Sequence, residues 1–347
     1  MYSLPIEIQL DVLKCLDFDQ LFSFKQTNFY FRNLVNKYEN GLARMKFYQL
    51  EMDSFQHYVL RMPETYKIIK PDSLIFEFTL NDRLLKKWKM AINESIPLFL
   101  HNSESVENGN FYVCLEKTVN EKERNYILEF PIIPKNLEEM IFSRCWLEQL
   151  LKCTFERAWF DKIIFNPQML NLLFDNSKIP IKFNIQRPSL SPNNNSFENF
   201  LEFSLNYLTI SDYLCIDFEE IDNLEQHLDI LFNILIGEGN KLSKVCLRNF
   251  TLTRLHELIT KYVATSKNCS EMVSTIILDY PLFTNFKLDE RAENVKIEIS
   301  DKIKHTKYQI SNIHNPKVKF LFYNVEMEDG SIFHITISRM DLLSEQK

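Results

Sequence analysis

Apolar residues crowd the start of the chain in a pattern that predicts three short helices. Pro5 suits the first turn of a helix, and Glu7 in that turn favours the helix dipole. At 100° per residue from Pro5 to Leu16, the residues Glu7, Asp11 and Lys14 fall in one stripe about 60° wide. Ile6, Ile8, Leu10, Val12, Leu13, Cys15 and Leu16 fill the rest, interrupted only by Gln9. A surface helix buries one face; this one is apolar over far more than one. Two further helical segments follow: Phe18 to Phe24, with Phe18, Leu21, Phe22 and Phe24, then Asn28 to Val35, with Phe29, Tyr30, Phe31, Leu34 and Val35. Three helices within about forty residues cannot bury that much apolar surface among themselves. The excess must face either the rest of the chain or another protein.

Downstream, residues 42–70 read as one or two amphipathic helices, broken at Arg61-Met62-Pro63-Glu64. Short strands alternating with helices come next. Leu74, Phe76 and Phe78 alternate as a strand, 82–93 is helical, and Pro97 to Leu100 is a second strand. Phe111–Glu116 pairs with Tyr126–Phe130 in a predicted hairpin across the charged loop Asn120–Arg124. The strongest signal is a period. Phe183, Leu214, Val245 and Ile276 are spaced by 31 residues, as are Ile185, Ile216, Leu247 and Leu278. Each pair is a short strand with one buried face. Between strands, 222–236 predicts a helix with Asp222 and Glu225 as a capping box and Leu224, Leu228, Leu231 and Leu235 as its core stripe. Gly237 or Gly239 would stop it. The next helix carries Leu252, Leu255, Ile259 and Tyr262. Upstream, Leu137-x-x-Met140-x-Phe142-x-x-Cys145 resembles the repeated phrase of leucine-rich repeats, with Ile163 and Phe165 as the next strand. A strand–helix unit near thirty residues predicts a solenoid; an irregular α/β domain of another order is the alternative. Pro188–Ser196 reads as a surface loop. Val318, Phe320 and Phe322 pair with Phe333, Ile335 and Ile337 across the turn Glu328-Asp329-Gly330, and with Val295–Ile299 would close the end of the stack.

Composition narrows the chemistry. Only 5 of 347 residues are Gly, so the glycine-rich phosphate loops and the nucleophile elbow are missing. A net charge of −7 argues against nucleic acid. No stretch has the apolar length of a membrane span, and the N-terminus lacks the basic start and small-residue cleavage site of a signal peptide. The expectation is a reducing compartment, cytoplasmic or nuclear. There the 7 scattered Cys are reduced packing residues and the sequon at Asn194 is silent. His256-Glu257 begins like a zinc-protease motif without its second His. Glu219-Glu220-x-Asp222 reads as a solvated loop and helix cap before it reads as a basic-ligand site, and Lys86-Lys87-x-Lys89 as a solvated helix face. Trp146 and Trp159 could line a groove, although core packing is the commoner role. No cofactor, metal or catalytic set is expected.

The N-terminal residues resemble a known family. Leu4-Pro5-x-Glu7-Ile8, Val12-Leu13, Leu16, Leu21 and Phe31-x-x-Leu34 are similar to the F-box motif over residues 4 to about 44, with its spacing intact. Phe18, Gln20 and Thr27 depart from it where Pro, Asp and Val are usual. The phrase LFSFKQTNFYFRNLVNKY also resembles the lineage-expanded F-box proteins of nematodes. The resemblance implies a three-helix module that docks on a Skp-type adaptor and through it on a cullin, while the rest of the chain holds a target protein. The adaptor-binding residues it implies are Leu4, Pro5, Ile8, Val12, Leu16, Leu21, Phe24, Phe31 and Leu34. The expected fold class is α+β: an F-box at 1–48, a helical linker at 49–72, a degenerate leucine-rich-repeat-like α/β domain at 73–290 and a β-rich cap at 291–347. The expected function is that of a non-catalytic substrate receptor of a ubiquitin ligase, with no nucleic-acid or membrane partner. An F-box interaction protein acting outside any ligase is the alternative.

Overall fold

The computed structural model describes residues 4–54, 66–69, 80–101, 110–119, 122–175, 180–250, 253–283 and 287–340. The strand expected at Leu74–Phe78, the break at Arg61–Glu64 and Leu252 lie outside the described residues. Contacts divide the chain into two compact units: residues 1–100, 105–158 and 165–185 in one, and 101–104, 159–164 and 186–347 in the other.

The first unit opens with three helices, α1 (Ile6–Lys14), α2 (Phe18–Thr27) and α3 (Phe29–Tyr38). Their starts are set by side chains. Asp17 and Gln20 form a reciprocal capping box on α2, with Gln20 N–H to Asp17 Oδ1 at 2.8 Å and Asp17 N–H to Gln20 Oε1 at 3.0 Å. Gln20, which departs from the F-box pattern, is thus half of a cap. Asn28 caps α3 by accepting from the Phe31 N–H. The strands β1 (Met45–Ser54) and β2 (Tyr66–Ile69) follow, so residues 45–54 and 66–69 are extended and not the amphipathic helices or helical linker expected there. Phe47, Leu50 and Met52 are buried on β1, a spacing that a helix and a strand share. Pairing with a neighbour decides between them. Then come α4 (Asp82–Asn93), as expected, β3 (Phe99–His101), and the hairpin β4 (Asn110–Val119) and β5 (Lys122–Pro131). The two segments pair as the hairpin expected, with Phe111 opposite Phe130 and Leu115 opposite Tyr126. Its strands run on to Val119 and Lys122, so Lys122–Arg124 is strand and not loop. α5 (Leu137–Leu151) occupies the phrase read as a leucine-rich-repeat strand. Asn136 accepts from the Glu139 N–H at 2.8 Å and Glu139 accepts from the Lys135 N–H at 2.7 Å, a cap that commits the segment to helix. The unit continues with β6 (Cys153–Asp161) as far as Ala158 and with α6 (Pro167–Leu173), while most of β7 (Ile163–Phe165) is assigned to the second unit. Five of the first unit's strands are hydrogen-bonded in the order β6-β1-β4-β5-β2. Phe99, Phe111, Phe130 and Phe165 are fully buried and share one aromatic cluster.

The second unit contains most of β8 (Phe183–Ser191), then α7 (Phe197–Tyr207), β9 (Leu208–Ile210), β10 (Leu214–Asp217), a 3₁₀ turn at Leu224–His227, α8 (Leu228–Gly237), β11 (Lys244–Arg248), α9 (Thr253–Thr265) and β12 (Thr275–Phe283). β8, β10, β11 and β12 are parallel neighbours in sequence order. The period of 31 is the register of the last three: Leu214 pairs with Val245 and Val245 with Ile276. It fails at β8, where Ile216 pairs with Leu190 and not Ile185. Pro188–Ser191, expected as loop, is the half of β8 that lies beside β10. The helix at 222–236 starts late. Asp222 accepts from Asn194 Nδ2 at 3.2 Å and Glu225 pairs with Arg254, so neither forms the expected capping box. The four core leucines are buried as expected. Beyond β12 lie β13 (Glu293–Ser300), β14 (Ile303–Ser311), β15 (Lys319–Glu326) and β16 (Ile332–Arg339), in the antiparallel order β12-β16-β15-β14-β13. The predicted hairpin is β15–β16, with Phe322 opposite Ile337. A register shift between Val325 and Glu326 puts Ile332, not Phe333, on the buried face. β14 was not anticipated from sequence.

Candidate functional site: the exposed face of the N-terminal helices

The three helices have a core of their own. Leu13, Leu21, Phe31, Leu34, Val35 and Leu42 are buried together, and Leu10, Leu16, Phe24, Tyr38 and Ala43 pack against them. Phe24 and Phe31 rings lie 4.1 Å apart. The module is tied to the chain behind it at one end. Arg44 donates to the Leu151 carbonyl at 2.7 Å, and Lys152 pairs with Glu39 at 3.2 Å and Glu148 at 3.3 Å. Burial pulls the Lys152 ammonium pKa down, and the two carboxylates raise it by more.

This core fills one half of the apolar arc of α1 and leaves the other half open. Gln9, Leu13 and Leu16 point inward, whereas Leu4, Pro5, Ile8 and Val12 are exposed, Ile8 by 47% and Val12 by 41%. Gln9, the one polar interruption, is buried and bridges two elements. Its Nε2 donates to the Leu4 carbonyl at 2.7 Å, and its Oε1 accepts from the Tyr30 hydroxyl at 2.8 Å. It thereby pins the chain before α1 and orients Tyr30 on α3. Tyr30 is 40% exposed and Phe29 beside it 76%. Phe22 on α2 is also half-exposed and stacks on Phe18.

The structure therefore separates the sequence-predicted site residues into two groups. Leu4, Pro5, Ile8 and Val12 face outward and can touch a partner. Leu21, Phe31 and Leu34 are core residues that hold the helices in place, with Leu16 and Phe24 partly buried at the edge of that core. Phe29 and Tyr30, also exposed, are not among the residues that the resemblance implies. Their signal is their position next to the Asn28 cap, which turns the first residues of α3 away from the core while Phe31 goes in.

The other candidates resolve locally. His256 is buried on α9. Glu220 pairs with Lys162 at 2.9 Å, Lys87 with Asp175 at 2.6 Å, and Trp159 is 43% exposed. Trp146 lines a cavity of about 380 Å³ with Leu21, Phe47, Leu128 and Leu150, and its buried indole N–H has no hydrogen-bond partner among the described residues. Of the free cysteines, five are buried and Cys15 is exposed; burial pushes the Cys153 thiol up to about 12. No group of three or more His, Cys, Asp or Glu that could hold a metal occurs among the described residues. No helix among them is long and apolar enough to cross a membrane.

Comparison with known proteins agrees with this geometry at the N-terminus. Residues 69–219 match a family described as a domain of unknown function (DUF8381), and residues 1–42 match the F-box domain. No curated protein and no solved structure matches the chain. The segment with a filled core and an open apolar face is the matched one: residues 1–42 of this chain are an F-box domain.

Proposed function

We propose that the chain is a non-catalytic substrate receptor of a cullin-based ubiquitin ligase, binding a Skp-type adaptor through the F-box and a target protein through the α/β part that follows. The observation that carries this reading is the outward row Leu4, Pro5, Ile8 and Val12 on a module whose own core is already full. Apolar side chains held in water by a complete core are the signature of an interface. Phe29 and Tyr30 on α3 are exposed as well, and the Tyr30 hydroxyl joins α1 at Gln9.

Target binding is assigned to residues 73–290. The parallel run β8-β10-β11-β12, read as a degenerate leucine-rich-repeat-like array with 291–347 as its cap, supports this. The loops after β8, β10 and β11 all leave from the same end of parallel strands. Phe197, Phe218 and Phe250 brace them from within, at ring distances of 6.0 and 5.4 Å. Asn249, at φ 55°, donates to Asp217 Oδ1 at 2.8 Å and locks two of the loops. Such rigidly mounted loops are where recognition residues gather.

The test is purification of the tagged full-length chain from cells, followed by ubiquitination of what it holds. The proposal expects adaptor and cullin together and adaptor-dependent modification of a bound protein. Recovery of adaptor with no cullin and no modification would move the chain to an F-box partner acting outside a ligase.

A further inference from the structure

The second unit ends in a strand that, among the described residues, has no neighbour on its outer side. Among the described residues β13 hydrogen-bonds to β14 alone and closes the strand order. All eight of its residues are exposed, among them Val295 at 39%, Ile297 at 56% and Ile299 at 73%. These three alternate onto the face on which β14 buries Thr306, the partner of Ile297. Lys296 and Glu298 take the other face. A long exposed apolar edge is a template for pairing with another strand.

We propose that two copies of the chain associate through β13, strand against strand and antiparallel, about a two-fold axis at Ile297. The register follows from the backbone. Asp301 and Lys302, at φ 49° and 69°, form a two-residue turn that makes Ser300 and Ile303 a hydrogen-bonded pair. Alternation along an antiparallel ladder then turns Glu298 and Lys296 toward His305 and Lys307, and leaves the N–H and C=O groups of Ile297 and Ile299 facing the free edge. A symmetric pairing must join edge-facing groups, so its axis passes through a residue. Centred on Lys296 it opposes Lys with Lys, and centred on Glu298 it opposes Glu with Glu. Centred on Ile297 it sets Lys296 opposite Glu298 of the second copy twice, Val295 opposite Ile299 twice, and Ile297 opposite itself. Opposite charges directly across a strand pair stabilise it and like charges oppose it. The apolar face of each β13 then continues into that of the other, giving a closed isologous contact. The bulge at Asn294, where the register shifts between Glu293 and Lys296, ends the pairing on one side and the turn ends it on the other. The contact is short, so affinity in roughly the micromolar range is expected.

Sedimentation velocity on the full-length chain over a concentration series tests this, with Lys296→Glu, Glu298→Lys and the double exchange. Each single reversal turns both opposite-charge contacts into like-charge contacts and should weaken the dimer about tenfold or more. The double exchange restores opposite charges and should restore dimerisation. Self-association through the F-box face would be indifferent to these charges, so the two are separable. A wild-type chain that stays monomeric to about 100 µM, association unchanged by Lys296→Glu, or a double exchange no better than the single reversals would overturn the proposal.

Discussion

Replacing Ile8 and Val12 together by Asp should abolish adaptor binding and leave the chain folded. In the free chain both side chains are already half in water, at 47% and 41% exposure, so little burial is lost. Ile and Asp have similar intrinsic helix propensity. A carboxylate at position 8 gains from the helix N-terminus, while Asp at 8 and 12 repel each other across one turn by a few tenths of a kcal/mol. The net change in stability should stay below about 1 kcal/mol. In the complex the same two carboxylates would be buried in an apolar contact without partners, at several kcal/mol. About 4 kcal/mol is roughly a thousandfold, enough to take a nanomolar complex to micromolar. Leu21→Asp is the contrast. Leu21 is 3% exposed within the helical core, so an unpaired charge there should unfold the module and lose binding through the fold. Far-UV circular dichroism with urea melts, beside calorimetric titration of adaptor, separates the two. A folded double variant that binds as tightly as wild type would refute the assignment of this face; an unfolded one would show that the face is packed and not open.

Three further outcomes follow from particular contacts. Gln9→Leu removes the bonds to the Leu4 carbonyl and the Tyr30 hydroxyl; because both are partly solvated, a urea melt should show only about 1–2 kcal/mol of loss, while adaptor dissociates faster as Leu4 and Tyr30 loosen. Gly239→Ala would place a Cβ 2.6 Å from the Glu271 carbonyl oxygen and closer still to that of Met272; since backbone must move, a thermal melt should report about 1–3 kcal/mol of destabilisation, and an unchanged melting point would contradict the packing of this turn. Burial holds the His256 imidazole down at about 4 against its ordinary 6.5, with Asp289 pulling the other way. The unfolded chain then takes up the proton first, so stability is full above pH 6.5 and falls by about 3 kcal/mol as pH drops toward 4; urea melts across that range should steepen with acid in wild type and less so in His256→Phe.

The parts of the fold legible in sequence are those fixed by local rules. α2 and α3 begin at capping residues, α4 at Asn81, which accepts from the Leu84 N–H, and each helix falls where its period placed it. The strands at 214, 245 and 276 were visible because identical spacing there is also identical register. β8 shows the limit of that logic. It is nine residues long, and apolar spacing locates a strand without saying which half of it pairs. Residues 45–54 and 137–145 went wrong in opposite directions for one reason: apolar intervals of two, three and five residues fit both a strand and a helix. Pairing with β4 settled the first and the Asn136 cap the second. The site was legible to the same degree. The width of the apolar arc on α1 announced a surface in excess of the core's need. Which part the core would take depended on where α2 and α3 cross it, and that is tertiary: Leu13 went in, Ile8 and Val12 stayed out.

On the proposed function, the exposed row on α1, with Phe29 and Tyr30, is a docking face for a Skp-type adaptor. Isothermal titration of the purified adaptor into the full-length chain measures it most directly. The expected result is one-to-one binding of nanomolar affinity with a negative heat-capacity change, the mark of apolar surface leaving water. Absence of binding at micromolar concentrations by a folded chain, or binding with no such heat-capacity change, would contradict it.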